Sequence, residues 1–220
     1  PKYSITKGRS MCPQCGHELD AKDLIPVFSW LSLGGKCRYC KKPISAQYPL
    51  VELFTAALFV LSYAFWPQTG LTSDFLSIQF WLWLIILTGL VALFVYDLKW
   101  MILPDRIVFK LTALAAAYSI INAITLPDAL NPILMSASGA LLLGGLFYLL
   151  FMVSDGRWIG GGDVKLGVFM GILLGPFLSY LALLFASLTG SIIILTLMAL
   201  KKVNRNQQVP FGPFLIAGTY

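Results

Sequence analysis

Two aspartates stand at matching ends of long apolar runs. Asp97 closes the stretch 81–96 and opens Asp-Leu-Lys-Trp-Met-Ile-Leu-Pro-Asp at 97–105. Asp163 closes Gly160-Gly161-Gly162-Asp163, directly before Val164-Lys165-Leu166. A carboxylate is costly to hold at the edge of hydrocarbon, so its presence there points to function. Two that meet can share one proton and activate a water, which is the chemistry of an aspartic protease. A second constellation is Cys12-Pro13-Gln14-Cys15 and Cys37-Arg38-Tyr39-Cys40, two C-x-x-C pairs with residues 16–36 between them. This is the spacing of a four-thiolate zinc site, in which two tight knuckles bring four sulfurs into a tetrahedron. Gly16 and Lys41 follow the pairs at positions suited to knuckle turns. His17 is a rival ligand on type alone, with a solvated side chain the preferred reading. Reduced, unliganded cysteines or a redox pair are the alternatives to zinc.

The elements that must position these groups follow from composition. The chain has 220 residues, of which 58% are hydrophobic and 12% charged, and its mean hydropathy is +0.79. Such a chain is too apolar for a soluble globule and fits a multi-span, all-α membrane protein. Polarity is concentrated at the front: residues 1–47 hold Lys2, Lys7, Arg9, Lys22, Lys36, Arg38, Lys41 and Lys42 together with all four cysteines. A four-cysteine, zinc-ribbon-like module at 1–47 and a membrane domain at 48–220 are therefore expected. The net charge of +6 reads as an orientation signal and not as a nucleic-acid footprint.

Hydropathy and helix breakers predict about six to seven membrane helices, near 49–66, 76–96, 107–126, 132–153, 166–175 and 177–200, with a last apolar run from about 210. The 166–175 run is too short to cross alone, and Pro176 is expected to kink one long element there. The chain starts at Pro1 and its last run stops at Tyr220, so truncation at both ends is expected. The loops near 67–75 and 122–131 and the Gly175-Pro176 break carry no Lys or Arg. The loops near 97–106, 154–165 and 201–209 carry Lys99 and Arg106, Arg157 and Lys165, and Lys201, Lys202 and Arg205. By the positive-inside rule this alternation puts the cysteine module, Asp97 and Asp163 on the cytoplasmic side. Thiols there stay reduced, which argues against disulfides.

Seven motifs in order carry a family resemblance. They are Cys-Pro-x-Cys-Gly-His (12–17), Ile-Pro-Val-Phe-Ser-Trp-Leu (25–31), Gly-Gly-Lys-Cys (34–37), Tyr-Pro-Leu-Val-Glu-Leu (48–53), Asp-x5-Leu-Pro-Asp (97–105), Gly-x-Gly-Asp-x-Lys-Leu (160–166) and Pro-Phe-Gly-Pro-Phe-Leu (210–215). Together they make the chain resemble the type IV prepilin peptidases, the leader peptidases and N-methyltransferases of type IV pilus and type II secretion systems. The resemblance spans essentially the whole chain and implies residence in the bacterial inner membrane. It implies Asp97 and Asp163 as the catalytic pair, with Gly160, Gly162, Lys165, Pro210 and Gly212 in supporting motifs, and prepilins or pseudopilins as substrates. It also implies S-adenosyl-L-methionine as methyl donor, with methyl transfer dependent on the cysteine module and Gly35 as the position to single out. No Rossmann-type glycine fingerprint accompanies that activity, and on the residues alone Gly34-Gly35 reads as a tight turn.

The physical reading of the aspartates agrees with the carry-over. Asp105 follows Pro104 and is placed to start a helix, and Asp155 beside Gly156 reads as a solvated loop residue. Asp97 and Asp163 have their own bland reading, as caps or as partners of Lys99 and Lys165. Glu52, just inside the first apolar run, reads either as a side chain reaching the interface or as a partner for a positive group of the substrate. The implied mechanism is general acid–base hydrolysis by one ionised and one protonated carboxylate, with no covalent intermediate. Two other classes compete. A presenilin-type protease shares Gly-x-Gly-Asp but fits the short loop from Asp97 to Pro104 poorly. A zinc-stabilised scaffold or proton-coupled transporter subunit would tolerate Asp97 and Asp163 far apart.

Overall fold

The computed structural model describes residues 9–66, 74–125, 130–202 and 209–220. The chain divides into two compact units after Trp66.

The N-terminal unit is built on two knuckles that repeat one another. Cys12 N–H donates to the His17 carbonyl (2.9 Å) and Gly16 N–H to the Cys12 carbonyl (2.8 Å). In the second, Cys37 N–H donates to the Lys42 carbonyl (2.9 Å) and Lys41 N–H to the Cys37 carbonyl (3.0 Å). Each closes on an isolated antiparallel bridge, Met11 with Glu18 and Lys36 with Pro43. Both need a left-handed residue after the second cysteine, Gly16 at φ 71° and Lys41 at φ 58°. Glycine adopts that conformation freely and lysine does not. The second knuckle is fastened sideways: Arg38 Nε lies 2.6 Å from Asp23 Oδ1, and the Tyr39 hydroxyl donates to Asp20 and Asp23. His17 lies against the Tyr39 ring, with centroids 3.6 Å apart.

Between the knuckles runs the short helix α1 (Phe28–Ser32), and after them comes α2 (Gln47–Phe65). Val27 N–H, at the start of α1, donates to Glu52 Oε2 at 2.7 Å. Glu52 thus ties Ile-Pro-Val-Phe-Ser-Trp-Leu to Tyr-Pro-Leu-Val-Glu-Leu. Compactness accordingly groups α2 with the knuckles, whereas polarity alone draws a division at residue 47.

The second unit contains α3 (Asp74–Trp100), α4 (Asp105–Thr125), α5 (Leu130–Gly139), α6 (Gly145–Ser154), α7 (Gly161–Ala199) and α8 (Gly212–Thr219). A π-helical turn, Ala140–Gly144, joins α5 to α6, so Leu130–Ser154 is one membrane-length element. Helices are what hydrocarbon permits, because every backbone group must find its partner inside the segment. Hydroxyls are handled the same way: Thr88, Thr112, Thr189 and Thr196 each donate to the carbonyl four residues back. Helix α7 packs against α4, α5, α6 and α8, and α3 against α4 and α8. Ile86, Leu90, Leu93, Val108, Leu111, Phe147, Leu166, Phe169 and Leu215 form the core. Large apolar side chains such as Trp81, Phe109, Leu149, Phe177 and Leu188 stay exposed, as lipid-facing residues must.

Among the described residues, five helices, α2 included, are long and apolar enough to cross a membrane. The fifth is broken where the sequence predicts: Gly175 has φ 72° and ψ −179°, followed by Pro176. Its arms span 161–174 and 176–199, about 21 Å and about 36 Å long. Counting the arms separately gives six, and the short α8 a seventh, as expected. Gly139 and Gly171 set the α5–α7 approach, since a Cβ on either would strike the backbone of the other. Helix α3 runs to Trp100, past the expected end at 96. Lys99 in this added turn extends over the Trp100 ring at 4.8 Å. Most of the 67–75 and 201–209 loops, and residues 126–129 of the 122–131 loop, lie outside the described residues.

Candidate active site and metal centre

Asp97 lies in the last turn of α3 and Asp163 in the first turn of α7. The two carboxylates are near enough for the charge of one to act directly on the other. Asp97 is 6% exposed, and among the described residues its Oδ2 is buried without a hydrogen-bond partner. A buried carboxylate oxygen without a donor is expensive, and a water O–H directed at it would satisfy it. Asp163 is half-buried. Its Oδ2 accepts the Gly160 N–H at 3.3 Å, so it also caps its own helix.

Three glycine contacts shape the space around the pair. Gly212, buried at the start of α8, abuts Asp97: a Cβ there would overlap Oδ2. A Cβ on Gly162 would come within 3.1 Å of Leu103, so the glycine turn packs on the loop that follows Asp97. A Cβ on Gly160 would lie 3.6 Å from Asp163 Oδ2. Pro210 is half-buried and precedes α8. Asp105 opens α4, as its position after Pro104 requires, and Lys165 Nζ pairs with Asp105 Oδ1 at 2.6 Å. That pairing takes Lys165 away from Asp163, against the bland ion-pair reading. Asp155 is an exposed left-handed cap at φ 49°.

The four cysteine sulfurs lie within 4.8 Å of one another, and Cys12 Sγ is 4.0 Å from Cys40 Sγ. A zinc tetrahedron with Zn–S near 2.3 Å needs sulfurs about 3.8 Å apart, so the cluster fits a metal ion once its sulfurs draw in by at most about 1 Å. Its electrostatics agree. Backbone N–H groups of Gln14 and Cys15 draw the Cys12 thiol down to about 7. The His17 N–H works in the same sense on Cys15, but desolvation and the crowding thiols Cys12 and Cys40 push it up to about 11. Thiolates this close cannot all ionise unless a cation joins them. His17, held against Tyr39, is not in the cluster.

Sequence reading missed the Gly212–Asp97 contact as a contact, the Glu52–Val27 bond and the Gly35–Trp30 packing. A Cβ on Gly35 would stand 2.9 Å from Trp30 Cζ2. Only the motif Pro-Phe-Gly-Pro pointed toward the first of these.

Two aspartates at neighbouring helix ends of an apolar bundle, in a chain that also carries a four-cysteine unit, are the arrangement of an intramembrane aspartyl enzyme. Residues 1–66 match the bacterial peptidase A24 N-terminal domain, and residues 84–195 match the type IV leader peptidase family. The chain belongs to the type IV leader peptidase family. It is 35% identical over 221 residues to the prepilin leader peptidase/N-methyltransferase of Aeromonas hydrophila, covering 99% of this chain and 72% of that one. It is 36% identical over 218 residues to the protein of that name in Pseudomonas aeruginosa, covering 98% and 71%. It is also 34% identical over 219 residues to the type 4 prepilin-like proteins leader peptide-processing enzyme of Escherichia coli O78:H11, covering 99% and 76%. No solved structure matches. The enzyme class implied by the seven motifs, a prepilin peptidase with N-methyltransferase activity, is thus the class of its relatives.

Proposed function

We propose that Asp97 and Asp163 cut the basic leader from prepilins or pseudopilins at the cytoplasmic edge of the bacterial inner membrane, and that the same chain methylates the amine so exposed. The observation that carries the peptidase reading is the buried Asp97 carboxylate, touched by the Gly212 backbone and within electrostatic reach of Asp163. Two carboxylates so placed do not both ionise readily, so one holds the proton. The ionised member takes a proton from water as the oxygen attacks the scissile carbonyl. The protonated member donates to the carbonyl oxygen, and the proton gained by the first then reaches the leaving nitrogen. Gly160 and Gly162 keep the approach free of side chains, and Gly212 fixes where Asp97 can sit. Lys165, through Asp105, ties the start of α7 to the start of α4. Pro210 sets the entry into α8.

The cysteine module faces the cytoplasm in this reading, with zinc held by Cys12, Cys15, Cys37 and Cys40 in a structural role, and S-adenosyl-L-methionine supplies the methyl group. Proximity of the aspartates favours hydrolysis over a proton-carrying scaffold, which has no use for it. The test is incubation of the protein with a prepilin and methyl donor, alone and with Asp97→Ala or Asp163→Ala. Mass spectrometry of the product should show leader removal and one methyl group for the parent and neither for the variants. A variant that still cuts refutes the pair.

A further inference from the structure

The N-terminal unit holds an open cavity of about 570 Å³, lined by both knuckles, α1 and the start of α2. Its size falls within the roughly 300–1,000 Å³ of small-molecule and cofactor sites. The lining is mostly apolar with a few charges, as such sites require. Leu33, Ile44 and the Trp30 indole supply flat and aliphatic wall, and Lys42 and Glu52 supply opposite charges. Asp23 also lines it but is already neutralised by Arg38 at 2.6 Å. Among the described residues, Glu52 is therefore the cavity's one carboxylate without a cationic partner, though its Oε2 accepts Val27 N–H.

We infer that this cavity seats the methyl donor, an adenosyl sulfonium, with Gly35 acting as a positioning residue through Trp30. The inference rests on the methyl-transfer half of the function proposed above. The ligand's parts match the wall: a planar base for Trp30 and the aliphatic side chains, a carboxylate for Lys42, and a cationic sulfur or ammonium for Glu52 and the indole face. Transfer requires nothing else from the cavity. The free N-terminal amine attacks the methyl carbon, a C–N bond forms as the C–S bond breaks, and the sulfur leaves with the electron pair as a neutral thioether. The positive charge passes from sulfur to nitrogen.

Gly35 does not line the cavity, yet it holds what does. Its N–H donates to the Trp30 carbonyl (2.9 Å) and its carbonyl accepts from Ile44 N–H (2.7 Å). Trp30 Nε1 donates in turn to the Ile44 carbonyl (3.0 Å). With φ at 69° and a Cβ that would sit 2.9 Å from the indole, any side chain at 35 displaces Trp30 into or away from the cavity. Cys12 lines the cavity too, so the metal knuckle is part of its wall.

The test is equilibrium dialysis of the full chain in detergent with labelled S-adenosyl-L-methionine and, separately, with the neutral thioether S-adenosylhomocysteine. Ile44→Trp fills the cavity and should abolish binding of both. Glu52→Gln keeps an acceptor for Val27 and removes the charge. It should weaken the sulfonium by about tenfold, the scale of one charged contact, and the thioether by much less. Gly35→Asn, which tolerates the left-handed backbone, should weaken both through Trp30. Zinc content equal to the parent shows that the unit is folded; if Ile44→Trp loses zinc, Glu52→Gln decides. Parent protein that methylates cut prepilin while folded Ile44→Trp or Glu52→Gln binds the sulfonium unchanged overturns the cavity assignment. Parent protein that cuts and transfers no methyl group overturns instead the bifunctional reading beneath it.

Discussion

Gly212→Ala isolates the placement of Asp97 without touching either carboxylate. The added methyl would overlap Asp97 Oδ2 and lie 3.2 Å from Cγ, where carbon atoms settle at about 3.5–4.0 Å. If the carboxylate yields, its oxygens move by on the order of 1 Å, and a misplacement of that size costs about a hundredfold in rate. If α8 yields instead, the packing of Leu215 and Ile216 is disturbed, at about 1–3 kcal/mol. The assay therefore measures kcat for prepilin cleavage beside the thermal midpoint. We expect kcat to fall about a hundredfold with KM near the parent value. Gly218→Ala is the control, because its methyl meets the Ala182 carbonyl of α7 at 2.6 Å, on the same helix but away from Asp97. It should lower the midpoint while kcat per folded molecule stays. Cleavage by folded Gly212→Ala within a few-fold of the parent would refute the contact as a determinant of catalysis.

Asp97→Asn and Asp163→Asn should each lower cleavage by at least about a thousandfold, since one carboxylate cannot act as acid and base in the same step; turnover above that level in either variant removes the dyad mechanism. Purified protein should carry one zinc per chain by elemental analysis, and Cys37→Ser should release it and lower the thermal midpoint of the N-terminal unit. Retained zinc in that variant contradicts the four-sulfur site. Lys41→Gly should raise stability or metal affinity by about 1 kcal/mol, because lysine at φ 58° bears a left-handed cost that glycine does not. A loss of metal affinity would show that the Lys41 side chain matters more than its backbone. Gly35→Ser should lower the ratio of methylated to cut product in mass spectrometry, and an unchanged ratio would detach Gly35 from methyl transfer.

Much of this architecture was legible because the signals are local. Long apolar runs give membrane helices by length alone, Gly175-Pro176 marks its own break, and two C-x-x-C pairs at this spacing point to paired knuckles. What stayed hidden depends on residues far apart in the chain. Lys165 reaches Asp105 across 60 positions, and Gly212 finds Asp97 only because α8 returns to α3. Glu52 illustrates the limit best. Its charge at the edge of an apolar run suggested an interfacial side chain or a substrate partner, whereas its oxygen holds the N–H of Val27. Helical periodicity cannot report a bond to a turn 25 residues earlier. The end of α3 was misplaced by a few residues for a related reason: hydropathy marks where lipid contact weakens, not where helical hydrogen bonding stops.

The paired knuckles have a topological consequence. Each is closed by its own backbone bonds, so a metal ion bound between them would act as a cross-link that joins residue 15 to residue 37 and closes a loop over the 21 positions 16–36. Closing a loop of this size removes about 3 kcal/mol of chain entropy from the unfolded state. Helix α1, Trp30 and Gly35 all lie inside that loop. Substitutions at any of them would be buffered while the cross-link holds and would become severe once it is withdrawn, so chelation is the condition under which weak defects in this segment become measurable.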